Sequence, residues 1–278
     1  MHDCAVIITS MLRPSVEEAV LSVYRQEFAG TIQVVLGIDR KTALEPAAQA
    51  LLERLRAACP PRRTLTVIDP GYSTAAINGG LYSNAFGGMM PAIASFAADS
   101  RFLCYLDDDD WYGPEHVATL FAAMQGRPWA HSLSWYVNPA NDEPMCIDHL
   151  ESVGPGRGAY RNQFGGFVRP SCLMLDKLQC AEMLHLWGVA MFAEGNGSDR
   201  AIFDALMKHR PSWGESRLAS VFYRINPQDP NHGYRLAYAQ AMGYDIARVP
   251  NLEAYTAATA AGETWSWVYT VLREPPHV

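Results

Sequence analysis

The sequence predicts an α/β fold, a mostly parallel central sheet with helices on both faces. Two observations predict it. Short apolar, β-branched runs alternate with amphipathic runs through residues 1–111, in the order β-α-β-α-β-α-β. Acidic residues also stand at the carboxyl ends of the second and fourth strands, the sheet edge where α/β proteins bind ligands.

The first strand is expected over 5–9. Residues 11–14 are a loop, and Pro14 followed by Ser15 opens a helix. Ser15 as N-cap with Glu18 three places on makes a capping box. That helix runs to about 26, with Val16, Ala19, Val20 and Val23 on one face. The second strand, 31–38, ends at Asp39. A helix carrying Leu44, Leu51, Leu52 and Leu55 follows, and Pro60 and Pro61 stop it. The third strand, 64–68, runs into a turn at Asp69, Pro70 and Gly71. Gly79, Gly80, Gly87 and Gly88 bracket a loop leading to a helix over 90–98, and the fourth strand is 102–106.

Beyond Trp111 the pattern is less regular. A helix begins at Pro114 and Glu115 and runs to about 124. A strand over 129–137 and a turn over 138–142 follow. Gly154, Gly156 and Gly158 make a loop. Further expectations are a strand over 167–175, helices over 178–186 and 199–208, a strand over 218–225, and an alanine-rich helical tail over 234–261. There is no internal repeat.

A chain of 278 residues, 49% hydrophobic, is long and apolar enough for a real core, as one large domain or two small ones. Its net charge of -7 argues against non-specific nucleic-acid binding, which needs a positive face. The six cysteines, Cys4, Cys59, Cys104, Cys146, Cys172 and Cys180, contain no C-x-x-C pair and read as buried thiols in a reducing compartment. Cys146, Asp148 and His149 lie close in sequence but without metal-ligand spacing. Residues 1–10 lack a positive leader, and no run is apolar for long enough to cross a bilayer. The expectation is a soluble, cytoplasmic protein.

The strongest chemical signal is the run Asp107, Asp108, Asp109 and Asp110, directly after Leu106 and before Trp111. Four adjacent carboxylates repel unless protonated, solvated or offered a cation. At a strand end this points to a divalent-metal site with a metal-bound phosphate, although a solvated acidic turn has the same composition. Asp39, at another strand end, can accept from a base N–H or a ribose hydroxyl, or can serve as a turn residue. Asp199, after Ser198, reads from local sequence alone as a helix N-cap.

Several segments together resemble family-2 glycosyltransferases of the GT-A fold, a Rossmann-like architecture. Arg13-Pro14, Ala19, Ser22-Val23 and Gln26 are similar to that family's opening. Residues 34–42, with Asp39, resemble its second strand. Leu106-Asp107-Asp108-Asp109-Asp110-Trp111 resembles its Leu-Asp-x-Asp-Asp-Trp, which contains the D-x-D motif. Residues 194–206, with Ser198-Asp199-Arg200, resemble the region of its catalytic base, and Phe222-Tyr223-Arg224-Ile225-Asn226-Pro227 its late Tyr-Arg strand. Tyr82-Ser83-Asn84 stands where Ala-Arg-Asn is frequent, so a phosphate or base contact is expected from elsewhere, from Arg157, Arg161 or Arg169.

The resemblance implies a GT-A domain over 1–227, with a nucleotide-sugar half (1–111) and an acceptor half (112–227), and a helical extension over 228–278 packed on it. It implies donor contacts from Ser10, Arg13, Asp39, Asn84, Asp107 and Asp108. Mn2+ or Mg2+ would rest on Asp109 and Asp107, with His232 a further candidate ligand. Trp111 and Arg169 would face the acceptor. Asp199 would be the catalytic base, with Glu194 as the alternative. The implied reaction is inverting, hexosyltransferase-type transfer of a single sugar from a nucleoside diphosphate sugar. UDP is expected ahead of GDP and dTDP, and the acceptor is a saccharide or glycoconjugate in cell-surface polysaccharide synthesis. Processive motifs are absent. The competing expectations are an inactive nucleotide-sugar-binding or scaffold protein, and a sugar nucleotidyltransferase, which would want glycine in the loop 9–14. Tyr234, Tyr238, Trp265, Trp267 and Tyr269 would pack on the domain or form a homodimer or acceptor surface.

Overall fold

The computed structural model describes residues 1–253 and 255. Its frame is a nine-stranded sheet whose first half is parallel: β1 (His2–Ser10), β2 (Ile32–Ile38), β3 (Arg63–Ile68) and β4 (Ser100–Asp107). The second half is mixed. It comprises β5 (Trp111–Tyr112), β6 (Trp129–Val137) and β7 (Pro144–Ile147), with β10 (Leu173–Asp176) and β11 (Trp213–Arg224) added after a two-stranded ribbon of β8 (Gly154–Pro155) and β9 (Gly166–Phe167). The order across the sheet is β3-β2-β1-β4-β10-β6-β11-β5, with β7 beside β6. β10 runs antiparallel to both β4 and β6, and so joins the two halves.

The helices are α1 (Val16–Tyr24), α2 (Pro46–Ala57), α3 (Met90–Ala97), α4 (His116–Met124), α5 (Arg161–Phe164), α6 (Lys177–Cys180), α7 (Ser198–His209) and α8 (His232–Ala241). Every residue of β2 is buried, as a strand covered on both faces requires. The sequence of β2 is apolar save Gln33, whose Nε2 donates to Thr66 Oγ1 at 2.9 Å and whose Oε1 accepts from the Asp99 amide at 2.8 Å. α4 buries His116, Val117, Leu120 and Met124, one stripe at helical spacing. A second cluster of buried side chains joins Tyr136, Met145, Leu150 and Ile225 to Leu236, Tyr238 and Ala239 of α8.

Two polar residues of α1 set the path of the chain after the acidic run. Ser22 Oγ accepts from the Tyr112 amide at 3.1 Å. Gln26 Nε2 donates to the Gly113 carbonyl at 2.7 Å, and its Oε1 accepts from the Val117 amide at 2.9 Å. Both side chains are buried, so each bond satisfies a group that would otherwise be costly to leave unpaired. The Ser22 and Gln26 of the opening motif are thus clamps on the segment that carries the aspartates.

The structure departs from expectation in several places. Ser15 caps nothing with its side chain; the backbone there is already helical, and Glu18 pairs with Arg25. The single strand expected over 167–175 is broken by a 3-10 turn at Pro170–Cys172, because Pro170 cannot donate to a ladder. Residues 177–188 are α6 followed by a 3-10 helix, Ala181–Gly188. The expected helix over 234–261 stops at Ala241, and Gly243 turns the chain at φ 92°. A 3-10 turn follows at Ile246–Arg248, and residues from 256 on, with Trp265, Trp267 and Tyr269, lie outside the described residues. All six cysteines are free thiols.

His116 is fully buried, stacked on Tyr112 at 3.7 Å, with Nδ1 2.8 Å from Ser220 Oγ. Burial pushes its imidazole down to about 3. Between that value and the unfolded pKa of about 6.5, the unfolded chain takes up a proton that the folded one refuses, so stability falls as pH drops, by roughly 1 kcal/mol per pH unit. His116→Gln should flatten this slope. Urea midpoints at pH 7 and pH 5 for the two proteins check it.

Candidate functional site

β4 lies against β1 with Thr9 opposite Asp107, so the acidic run emerges beside Ser10 at the carboxyl edge of the parallel half. The chain then turns tightly, the Asp110 amide donating to the Asp107 carbonyl at 3.1 Å. In this turn alternate aspartates have opposite fates. Asp108 and Asp110 are buried, Asp107 is exposed and Asp109 is intermediate.

The buried pair is fully engaged. Asp108 accepts from Ser10 Oγ at 2.5 Å and from Arg13 Nε at 3.3 Å, and Arg13 Nη2 closes a second contact to it. Ser10 Oγ is itself set by the Leu12 amide at 2.8 Å. Asp110 accepts from Ser171 Oγ at 2.9 Å and from the Arg224 amide at 3.1 Å. The Arg224 guanidinium rests on the Asp109 carbonyl and lies 5.0 Å from the centre of the Trp111 ring, which stacks on Phe222 at 5.3 Å.

The outward pair is left open. Asp109 has only Arg13 Nη2 at 3.4 Å, and Asp107 only Ser171 Oγ at 3.4 Å. Asp107 is accessible to solvent although protein packs closely around it. Enclosure, followed by the charges of Asp109, Asp108 and Asp199, pushes its carboxyl up to about 7. Asp109 and Asp110 are pushed up as well, chiefly by burial. Arg169 opposes the shifts of Asp107 and Asp110.

Asp199 stands in the first turn of α7, close enough for its charge to raise Asp107. Burial raises Asp199 too, and Arg200 opposes this. Two loops lock together to put it there. The Ala85 amide donates to the Gly195 carbonyl at 2.7 Å, the Asn84 amide to the Gly188 carbonyl at 3.3 Å, and the Ala190 amide to Ser83 Oγ at 2.9 Å. Gly195 has φ +82° and a Cβ there would sit 2.9 Å from Ala85 Cβ, so the close approach needs glycine. Glu194 is exposed on this loop.

Several expected site residues do other work. Asn84 was expected on the donor, but its amide is buried and donates to the carbonyls of Trp187 at 2.8 Å and Gly88 at 3.2 Å, while accepting from the Phe86 amide; it latches the loop. Asp108, also expected on the donor, is spent on Ser10 and Arg13. Arg169 was expected to face the acceptor. It is buried on the Tyr223 ring at 3.6 Å and paired with Asp148 at 3.0 Å, which makes it a fixed cation beneath the site. His232 was a candidate metal ligand. Its Nε2 lies 2.9 Å from the Pro250 carbonyl, and the charges acting on it are Arg235 and Asp229, not the acidic run. Asp39 ends β2 as expected, with its carboxylate engaged by the Thr74 amide at 2.7 Å and the Thr74 hydroxyl at 2.8 Å. A recess of about 490 Å3 opens beside this clasp, lined by Lys41, Tyr72, Thr74 and Tyr82 among others.

Arg157, one proposed source of the missing cation, pairs instead with Glu215. Among the described residues the cations that touch the acidic run are Arg13 and Arg224, while Arg169 acts on Asp107 and Asp110 through its charge. Arg224 and Ser171 were not singled out for this role; the motif Tyr223-Arg224 was the available signal. Among the described residues no three His, Cys, Asp or Glu side chains form a ready-made metal cage, and no helix is long and apolar enough to cross a membrane.

No known family model matches the sequence, and no curated protein matches it. Solved structures do share its fold. That of S. aureus TarS has a TM-score of 0.55 at 14% identity, covering 91% of this chain and 41% of TarS, so this chain spans well under half of that protein. TarS 1–349 in complex with UDP-GlcNAc gives 0.56 at 14% identity, covering 91% and 69%. The mannosyltransferase PcManGT from Pyrobaculum calidifontis, in complex with GDP-Man and Mn2+, gives 0.50 at 14% identity, covering 98% and 74%. At this identity the likeness establishes the GT-A architecture.

The clasp on Asp108 has a measurable signature. Arg13→Met strands a buried carboxylate and should cost about 1–3 kcal/mol. Asp108→Asn in that background should recover part of the loss. A double-mutant cycle by urea unfolding should give a coupling of at least about 1 kcal/mol.

Proposed function

We propose that this chain is a glycosyltransferase that moves one sugar from a nucleoside diphosphate sugar to an acceptor hydroxyl with inversion. The observation that carries the reading is the division of the carboxylates. Asp107 and Asp109 are left with weak contacts only, and Asp199 lies within electrostatic reach of Asp107. The likeness to structures holding UDP-GlcNAc and GDP-Man supports it.

The donor set consists of hard carboxylate oxygens, with anionic charge in excess of its local cations, and so fits Mn2+ or Mg2+. Asp107 and Asp109 would hold the ion, with the remaining ligands from the donor's phosphates and water, as is usual for Mg2+ at phosphate sites. Bound there, the ion supplies positive charge to the departing diphosphate. The nucleoside is assigned to the recess beside Thr74, with UDP the expected carrier and GDP or dTDP the alternatives.

Asp199 acts as general base. Its carboxylate takes the proton of the acceptor hydroxyl as that oxygen forms its bond to the anomeric carbon. The bond from that carbon to the phosphate oxygen breaks on the opposite face, and its electron pair leaves with the diphosphate. Burial raises Asp199 toward neutral pH, which suits a base. Trp111, flat against Phe222 and only partly buried, is a platform for the acceptor ring. The acceptor class is a saccharide or glycoconjugate.

The alternative, an inactive nucleotide-sugar-binding protein, is favoured by Ser83, whose hydroxyl is spent on the Ala190 amide where a cation was expected. Turnover separates the two. UDP or GDP with Mn2+, at about 100 times Kd, should add about 2.7 kcal/mol and raise Tm by roughly 5–10 °C. Asp109→Ala should lose the metal-dependent part of that shift. Asp199→Asn should keep the shift and lose transfer by about 10²–10⁴-fold. Equal turnover in Asp199→Asn and wild type would sink the enzymatic reading.

A further inference from the structure

Arg200 directly follows Asp199, and its setting is unusual for a surface-helix arginine. Its guanidinium carbon lies 3.7 Å from the centre of the Phe167 ring, 3.8 Å from Tyr160 and 4.8 Å from Phe164. Three rings from α5, β9 and the residue before α5 thus close around one cation. A guanidinium is weakly hydrated and stacks readily on ring faces, so the box replaces water at modest cost. Nη1 is buried and has no hydrogen-bond partner among the described residues, which leaves the ring faces to balance it.

The box is anchored from outside. Tyr160 Oη donates to Glu151 Oε1 at 2.9 Å and accepts from Asn231 Nδ2 at 3.2 Å. Glu151 is buried, and its Oε2 accepts from Tyr136 Oη at 2.7 Å and from Arg235 Nε at 2.7 Å. Arg235 belongs to α8, so that helix braces the rings through Glu151. At the inner end, the Arg200 amide lies 2.8 Å from Asp199 Oδ1. That bond is the backbone's; the guanidinium acts on the neighbouring carboxylate through its charge, which favours the ionised form ahead of Arg169, and no ring of the box is charged.

We propose that Arg200 is a positioning residue for Asp199, held by the ring box of Tyr160, Phe164 and Phe167. The assignment rests on the proposed function and adds to it the group that prepares the base. Donor binding lies with Asp107, Asp109 and the Thr74 recess, so Arg200 serves turnover and not donor affinity.

The test uses hydrolysis or transfer in Mn2+ with whichever of UDP-GlcNAc, UDP-glucose and GDP-mannose gives the wild type its highest rate. Arg200→Met keeps the stem that packs between the rings and removes the charge; Arg200→Lys restores a charge without the fork. Arg200→Met should lower kcat at least tenfold, with donor KM and UDP or GDP Kd within twofold of wild type. Arg200→Lys should recover at least a third of the lost activity at a Tm no higher than that of Arg200→Met. Wild-type kcat in Arg200→Met, or losses in the two variants that simply follow Tm, would overturn this assignment alone. No turnover by wild type with any donor would overturn the proposed function, and this assignment with it.

Discussion

The structure is organised around a repulsion. Four aspartates in sequence and a fifth from α7 converge on one sheet edge, and no fold can leave so many like charges in a cleft without partners. The solution is division. Two carboxylates turn inward and are consumed, one by Ser10 and Arg13, the other by Ser171 and the Arg224 backbone. The other two remain in the opening with weak contacts only. Enclosure first, and then the charges of Asp109, Asp108 and Asp199, raise the Asp107 carboxyl. A site made this way holds more anionic charge than its neighbours offset, and the proposed cation with its phosphate would offset the remainder.

The surrounding scaffold exists to keep that division in place. Ser22 and Gln26 hold the chain leaving the acidic turn, and β10 docks antiparallel on β4 so that Ser171, just before it, lands between Asp107 and Asp110. Arg169, two residues earlier, lies under the cluster as a buried cation that Asp148 pairs directly. Removing water from such a pair is costly, and its geometry is correspondingly complete: Asp148 also accepts the amides of Leu150, Glu151 and Ser152. The loop that bears Asn84 and the loop that bears Gly195 fasten to one another, which brings α7 to the same edge.

Much of this was legible in the sequence, for reasons that differ by residue. The parallel half could be read because β1, β2 and β4 each carry a buried, largely apolar run, with helices set off by proline or glycine. The acidic run and Asp39 were found because strand ends are local properties, whereas the role of Asp199 came from the family resemblance, its local sequence reading as a helix N-cap. What was not legible is direction. Asn84, Arg169 and His232 have the chemistry of ligands, but whether an amide or an imidazole faces a cleft or a backbone carbonyl depends on residues far away in sequence: Trp187, Asp148 and Pro250. The box around Arg200 was invisible for the same reason, since its rings, at 160, 164 and 167, lie far from it in sequence. Pro170, by contrast, was a readable break in the strand over 167–175 that apolar composition masked.

The pairing of Thr9 with Asp107 has a consequence beyond placement. The four aspartates are chemically identical, so nothing in their own chemistry says which two belong inside. If β4 slid by a single place along β1, the composition of the edge would be preserved while the clasped and open carboxylates exchanged roles. The frame is therefore kept by the buried Leu103, Cys104, Tyr105 and Leu106, with no part in the chemistry, and by Trp111, whose ring stacks on Phe222. In this protein the oily part of a strand is what gives each of four equal acids its distinct task.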